Sequence, residues 1–131
     1  MTSDKPKVLV VDDLEDMRMI LRLTLERSGW RIFEAEDGQD AIDMALEIHP
    51  DVIVMDFDMP MLDGLQTCQQ IKDMPALAQT PIIIYTGTYA NHIRAAAYDA
   101  GAYDFLTKPI LPAELREKVH QAYQQHAIAP R

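Results

Sequence analysis

Three short apolar runs, each followed at once by a polar residue, stand out along the chain. Residues 8–11 and 52–55 consist of valine, leucine, isoleucine and methionine, and residues 81–85 contain three isoleucines in a row. Runs of this length are too short for a buried helix and are rich in β-branched residues, so each is predicted to be a strand covered on both faces. The first two runs end on aspartates and the third on a threonine.

Two other segments are predicted to be strands of a different character. Residues 30–35 are β-prone, but Arg31 and Glu34 interrupt the apolar pattern, which favours an exposed edge strand over a central one. Residues 103–106 form a last short strand that is followed by the sequence Thr-Lys-Pro. The pattern therefore predicts five strands in all.

Apolar residues recur at helical spacing between the strands. The pattern predicts helices over residues 15–28, from Gly38 to His49, around residues 65–71, over residues 93–100 and from Pro112 onward. The predicted core-facing residues are, in chain order, Met17, Ile20, Leu21, Leu25, Ala41, Ile42, Ala45, Leu46, Leu65, Cys68, Ile71, Ile93, Ala96, Ala97, Ala100, Leu115, Val119, Ala122 and Tyr123. Five alternating strand and helix units call for an α/β fold, a (βα)5 three-layer sandwich with helices on both faces of a parallel sheet.

Length and charge narrow the possible functions. The 131 residues are enough for one domain, which we place at residues 7–126, between a polar lead (1–6) and a C-terminal tail (127–131). Twelve basic against twenty-one acidic residues give a net charge of -9, which disfavours direct binding to nucleic acid or to an anionic membrane. The single cysteine, and the lack of an apolar leader or spanning segment, lead us to expect a cytoplasmic protein.

Polar residues follow four of the predicted strands at their carboxyl ends: Asp12 and Asp13, Asp56, Thr86, and Lys108. Since parallel strands point these ends to one rim of the sheet, we expect the side chains to meet there. Crowded carboxylates repel one another unless a cation offsets their charge, and Mg²⁺ prefers oxygen ligands of this kind. Asp56, on the central strand, is the best candidate for a nucleophile that accepts a phosphoryl group.

Four segments together resemble the receiver domain of two-component response regulators. They are VLVVDD (8–13), VIVMDFDMPMLDG (52–64), YTGT (85–88) and GAYDFLTKP (101–109), and the resemblance covers nearly the full chain. The resemblance implies a flavodoxin-like doubly wound fold with strand order 2-1-3-4-5. It also implies that the protein is a signalling phosphoacceptor and not an enzyme. Such a domain catalyses only its own phosphorylation and dephosphorylation.

The same resemblance implies a role for each matching residue. Asp56 would be the phosphoacceptor and a Mg²⁺ ligand, Asp13 a direct Mg²⁺ ligand, Asp12 a ligand acting largely through water, and the backbone carbonyl of Asp58 the remaining protein ligand. Thr86 and Lys108 would hold the phosphoryl group.

Further positions of the family pattern concern switching. Thr86 and Phe105 would form the conformational switch, with Phe105 at a position often occupied by tyrosine. Asp58 and Thr88 would tune the phosphoryl lifetime, and the Lys108–Pro109 bond would be cis. A histidine kinase or phosphotransfer protein would supply the phosphoryl group. The output would be a protein target or an effector domain, with phosphorylation-dependent dimerisation as an option.

Three alternatives stay open at this point. A haloacid-dehalogenase-type phosphatase would use Asp56 as nucleophile and Asp58 as general acid, but Pro60 and the position of the acidic pair depart from that pattern. A flavin-binding flavodoxin-like domain would need a phosphate-binding loop where this chain has Asp12 and Asp13. A receiver-like interaction module that is never phosphorylated would need none of the rim chemistry.

Overall fold

Five parallel strands form one sheet at the centre of the molecule. The computed structural model describes residues 5–87 and 91–128, and the strands lie in the order β2-β1-β3-β4-β5. The strands are β1 (Lys7–Val11), β2 (Arg31–Ala35), β3 (Val52–Asp56), β4 (Ile82–Thr86) and β5 (Asp104–Thr107). The three apolar runs occupy the three central strands, and the segment of mixed polarity is an edge strand, as predicted.

Five α-helices and one turn of 3-10 helix connect the strands within the described ranges. They are α1 (Glu15–Glu26), α2 (Gly38–Ile48), α3 (Gly64–Lys72), the 3-10 turn (Pro75–Leu77), α4 (Asn91–Asp99) and α5 (Pro112–Ile128). Helix α5 extends to Ile128, two residues past the predicted end of the domain at residue 126. Among residues 5–87 and 91–128, no helix combines the length and apolar character needed to cross a bilayer.

The alternation of side chains along each strand creates two cores. In β3, Ile53 and Met55 pack with the apolar residues of α2, α3 and α4, while Val52 and Val54 pack with those of α1 and α5. Side chains of successive strand residues point to opposite faces, so a strand covered on both sides has to be apolar throughout. The predicted three-layer α/β sandwich with strand order 2-1-3-4-5 is confirmed.

Local signals in the sequence set the helix ends that shape the rim. Asp63 caps α3 by accepting a hydrogen bond from Gln66 N at 2.9 Å, and the Gln66 side chain accepts one from Asp63 N at 3.0 Å. This reciprocal pair satisfies two of the free N–H groups at the start of a helix. The loop after β3 therefore leads directly into α3.

Two predicted core positions are wrong. Ile20 in α1 is 55% exposed and Leu46 in α2 is 43% exposed. Each helix has only a narrow stripe against the sheet, and small or branched neighbours such as Leu21 and Ala45 fill it. Several element boundaries also differ by one or two residues. For example, α1 ends at Glu26 and not at residue 28, and the last strand is shifted by one residue to Asp104–Thr107.

Gly64 is expected to be intolerant of any side chain. A methyl group there would lie 2.7 Å from the carbonyl oxygen of Asp56 and 2.8 Å from Cα of Phe57, and both are backbone atoms that cannot move aside cheaply. We expect Gly64→Ala to lower the free energy of unfolding by about 1–3 kcal/mol. Gly87→Ala is the matched control, because its nearest contact would be Lys108 Cδ at an ordinary 3.7 Å. Equal stability of the two variants in urea denaturation would contradict this packing.

Candidate functional site

The carboxyl ends of β1, β3 and β4 bring most of the predicted site residues to one rim. Asp12 and Asp13 directly follow β1, Asp56 is the last residue of β3 and Thr86 the last residue of β4. One carboxylate oxygen from each of Asp12, Asp13 and Asp56 lies within 4.8 Å of the others. Lys108 follows β5 and reaches the same rim, with its ammonium nitrogen 3.5 Å from Asp56 Oδ2. The rim predicted from the sequence therefore exists as one cluster.

Asp12 is the most firmly held member of this cluster. Its side chain is fully buried, its Oδ1 accepts a hydrogen bond from Leu14 N at 2.9 Å, and its Oδ2 accepts one from the Tyr85 hydroxyl at 2.6 Å. Arg18 donates two hydrogen bonds nearby. Its Nη1 donates to the Asp12 carbonyl oxygen at 2.5 Å, and its Nε donates to the Glu34 carboxylate of β2 at 3.2 Å. The carboxylate is thus fixed at both oxygens, and its backbone is tied to α1 and the neighbouring strand.

Asp56 is almost completely buried, and its ionised form therefore costs free energy of folding. Its exposed fraction is 2%, its Oδ1 accepts a hydrogen bond from Asp58 N at 3.1 Å, and its Oδ2 faces Lys108. The pKa of Asp56 is raised from 3.8 to about 6, chiefly by burial and further by the charges of Asp12 and Asp58, while the Asp58 N–H and the Lys108 ammonium oppose the rise. The carboxyl is therefore mostly ionised at neutral pH, at a cost to the fold.

That cost predicts an unusual pH dependence of stability. Because the pKa of Asp56 is higher in the folded chain than in the unfolded one, the folded state binds the proton more tightly between pH 3.8 and about 6. The contribution of Asp56 to the free energy of unfolding therefore falls as the pH rises through this window. At pH 7.5 without metal, we expect Asp56→Asn to raise the free energy of unfolding by on the order of 2 kcal/mol.

Urea denaturation of both proteins at pH 7.5 and pH 4 measures this effect. The stabilisation should shrink at pH 4, where the folded wild type already has the proton on Asp56. A variant that is less stable than wild type at pH 7.5 would show that the Lys108 ion pair outweighs the burial of charge.

Thr86 and Phe105, the two residues expected to form the switch, are both buried. Thr86 is fully buried and its hydroxyl donates to Asp58 Oδ2 at 3.0 Å. Phe105 is 5% exposed and lies opposite Ile84 in the sheet, and the guanidinium carbon of Arg94 in α4 is 5.6 Å from the centre of its ring. The expectation for Thr88 falls outside the described residues. The Lys108–Pro109 bond is cis, as expected.

Two residues of the site were not identified from the sequence. Tyr85 was assigned only to a buried run and to a segment that matches the family, and Arg18 was not singled out. Burial raises the pKa of the Tyr85 phenol, and the charge of Asp12 raises it further, so this hydroxyl stays protonated and donates. A phenol at the rim end of an apolar strand was the available signal, since a buried tyrosine needs a partner for its hydroxyl.

The chemistry of the cluster fits a small divalent cation. Three carboxylates in close proximity, two of them buried, are hard oxygen donors whose mutual repulsion a cation would relieve. Mg²⁺ binds through one or two carboxylates while keeping several waters, and the exposed carboxylate of Asp13 leaves an approach from solvent. Asp12, Asp13 and Asp56 are therefore able to hold a metal ion of this class.

Comparisons with known proteins agree with this geometry. A model of the response regulator receiver domain family matches residues 8–120. The chain is 40% identical over 113 residues to the transcriptional regulatory protein ResD of Bacillus subtilis, covering 86% of this chain and 46% of ResD. It is 35% identical over 123 residues to the alkaline phosphatase synthesis transcriptional regulatory protein PhoP of the same organism, covering 94% and 50%. The chain thus spans about half the length of these curated relatives.

Solved structures place the fold in the same group. The chemotaxis response regulator CheY4 of Vibrio cholerae is 28% identical, with a TM-score of 0.85 over 91% of this chain and 99% of CheY4. The receiver domain of the Francisella response regulator 1452 is 30% identical, with a TM-score of 0.86 over 92% and 98%. With the family model matched from β1 into α5 and the acidic cluster at the expected rim, this chain belongs to the response regulator receiver domain family.

Proposed function

We propose that this chain is a phosphorylation switch that accepts a phosphoryl group on Asp56 in the presence of Mg²⁺. The observation that supports this most strongly is the cluster of Asp12, Asp13 and Asp56 with the Lys108 ammonium 3.5 Å from Asp56 Oδ2. Asp12, Asp13, Asp56 and the backbone carbonyl of Asp58 would hold the ion. Bound Mg²⁺ would supply positive charge against the cluster and the phosphoryl oxygens.

The donor would be a phosphohistidine of a histidine kinase or of a phosphotransfer protein. A carboxylate oxygen of Asp56 forms the new bond to phosphorus, the bond between phosphorus and the histidine nitrogen breaks, and the imidazole leaves with the electron pair. Lys108 offers a charge that pairs with Asp56 before transfer and with a phosphoryl oxygen afterwards. Catalysis would then consist mostly of positioning the phosphoryl group and neutralising its charge. It would be confined to the chain's own phosphorylation and dephosphorylation.

The conformational response would start at Thr86. A phosphoryl group brings more negative charge and three strong acceptors close to this hydroxyl, which in the present state donates to Asp58 at 3.0 Å. Drawing the hydroxyl toward the phosphoryl group breaks that bond and leaves space beside β4 for the ring of Phe105. The population then shifts toward a second packing of α4, β5 and α5. Asp58, which loses its partner, would influence how long the phosphoryl group lasts.

We expect Thr86→Ala to accept phosphate but to lose this response. In an NMR comparison of phosphorylated and unphosphorylated protein, the amide shifts at Phe105 and along α5 should change several-fold less in Thr86→Ala than in wild type. Thr86→Ser is the matched control, because it keeps the hydroxyl. Full shifts in Thr86→Ala would show that the hydroxyl does not drive the switch.

The partners follow from the family and from the charge of the chain. The kinase or phosphotransfer protein would dock near the rim, and the α4-β5-α5 surface would contact a downstream protein, an effector domain or a second phosphorylated copy. The net charge of -9 suits a partner with a basic surface better than nucleic acid or membrane. A cytoplasmic location would suit all of these partners.

Phosphorylation by a small donor tests the proposal without knowledge of the partner. Wild-type protein incubated with acetyl phosphate and Mg²⁺ should gain the mass of one phosphoryl group, and chelation of the metal with EDTA should prevent the gain. Turnover of phosphate esters without phosphorylated protein would favour the phosphatase alternative. Absence of both labelling and Mg²⁺ binding would favour the interaction module.

A further inference from the structure

The hydroxyl of Tyr85 connects the ends of two strands that are not neighbours in the sheet. Tyr85 belongs to β4 and Asp12 follows β1, and β3 lies between these strands in the sheet. The fully buried phenol reaches beneath the end of β3 to place its oxygen 2.6 Å from Asp12 Oδ2 and 3.4 Å from the carbonyl oxygen of Val11. A hydrogen bond of this length to a carboxylate is a strong, charge-assisted one.

We infer that Tyr85 is a positioning residue for the metal site, which it serves by fixing the orientation of the Asp12 carboxylate. This inference rests on the proposed Mg²⁺-dependent function. The Leu14 N–H holds Oδ1 at 2.9 Å and the Tyr85 hydroxyl holds Oδ2, so the carboxylate plane is set before any cation arrives. A ligand that is already oriented loses less freedom on binding, and partners that orient ligands are commonly worth 10- to 100-fold in metal affinity.

The neighbouring carboxylates increase the need for the Tyr85 hydroxyl to hold Asp12. Asp13 and Asp56 repel Asp12 within the cluster, and the Tyr85 hydroxyl is the donor that holds Asp12 Oδ2 against this repulsion. The ring itself has a separate contact, since the Lys108 ammonium nitrogen lies 5.4 Å from its centre. Tyr85→Phe keeps the buried ring and this contact, and therefore removes the hydroxyl alone.

Isothermal titration calorimetry with MgCl₂ measures the effect directly. We expect Tyr85→Phe to raise the Kd for Mg²⁺ about tenfold relative to wild type. Tyr98→Phe is the matched control, because its hydroxyl donates to Asp104 at 3.4 Å, in a pair outside the acidic cluster, and its Kd should equal that of wild type. Urea denaturation of each variant establishes that the fold is retained.

A double-mutant cycle separates positioning from a general loss of structure. If Tyr85 acts through Asp12, Tyr85→Phe should change the Kd less than twofold in an Asp12→Asn background. An equal tenfold change in both backgrounds, or no change in the wild-type background, would overturn the inference while leaving the proposed function intact. Failure of the wild type itself to bind Mg²⁺ would overturn the proposed function and the inference with it.

Discussion

Asp56→Asn protein is expected to take up no phosphoryl group from acetyl phosphate and Mg²⁺, under conditions where wild type is labelled. The amide has nearly the same shape as the carboxyl, so it preserves the packing of a side chain that is 2% exposed. It lacks the anionic oxygen that must form the bond to phosphorus, and the loss should be complete to the detection limit of intact-protein mass spectrometry. The expected gain in stability argues against misfolding as the reason for an unlabelled variant.

Asp63→Asn is the matched control for that loss. Asp63 lies at the end of the loop that follows Asp56 and caps α3 with its side chain, and asparagine caps helices about as well as aspartate. We expect this variant to be labelled like wild type. Labelling of Asp56→Asn, in contrast, would mean that another carboxylate of the cluster accepts the phosphoryl group.

Asp13→Asn is expected to weaken Mg²⁺ binding by about 100-fold or more, and to lower the rate of phosphorylation at a fixed metal concentration accordingly. Asp13 is the exposed member of the three-carboxylate cluster, so the substitution removes the charge of the proposed ligand without opening a cavity. Repulsion of Asp12 and Asp56 also falls, which should leave the metal-free variant as stable as wild type or more so.

Calorimetric titration with MgCl₂ measures the loss of Mg²⁺ affinity in Asp13→Asn, and Asp16→Asn is the control. Asp16 is an exposed aspartate in the first turn of α1, three residues further along the chain, and it is not a member of the cluster. An unchanged Kd in Asp13→Asn would place the metal elsewhere. Equal losses in both variants would show that overall charge, and not ligation, determines the affinity.

The fold and the rim could be predicted from the sequence because both follow from simple rules. A run such as Val52 to Met55 is apolar at every position, which only a strand covered on both faces requires. The residues that follow parallel strands all lie at the same edge of the sheet. Because β1 and β3 are adjacent, Asp12 and Asp56 are neighbours at that edge. The order of the strands came from the resemblance to a family, since periodicity does not determine it.

The contacts within the site could not be predicted in the same way. The hydrogen bond from Tyr85 to Asp12 joins residues 73 positions apart and depends on how a phenol crosses beneath a third strand. The bond from Thr86 to Asp58 depends on the loop conformation after β3. The exposure of Ile20 and Leu46 likewise depends on how much of the surface of each helix packs against the sheet. Side-chain direction decides each of these, and sequence spacing alone does not contain it.

Identification of the phosphorylated residue tests the central claim most directly. After reaction with acetyl phosphate and Mg²⁺, reduction with borohydride converts an aspartyl phosphate into homoserine, which peptide mass spectrometry locates in the chain. We expect homoserine at position 56 alone. Homoserine at position 12, 13 or 58, or no converted residue in a protein that binds Mg²⁺, would contradict it.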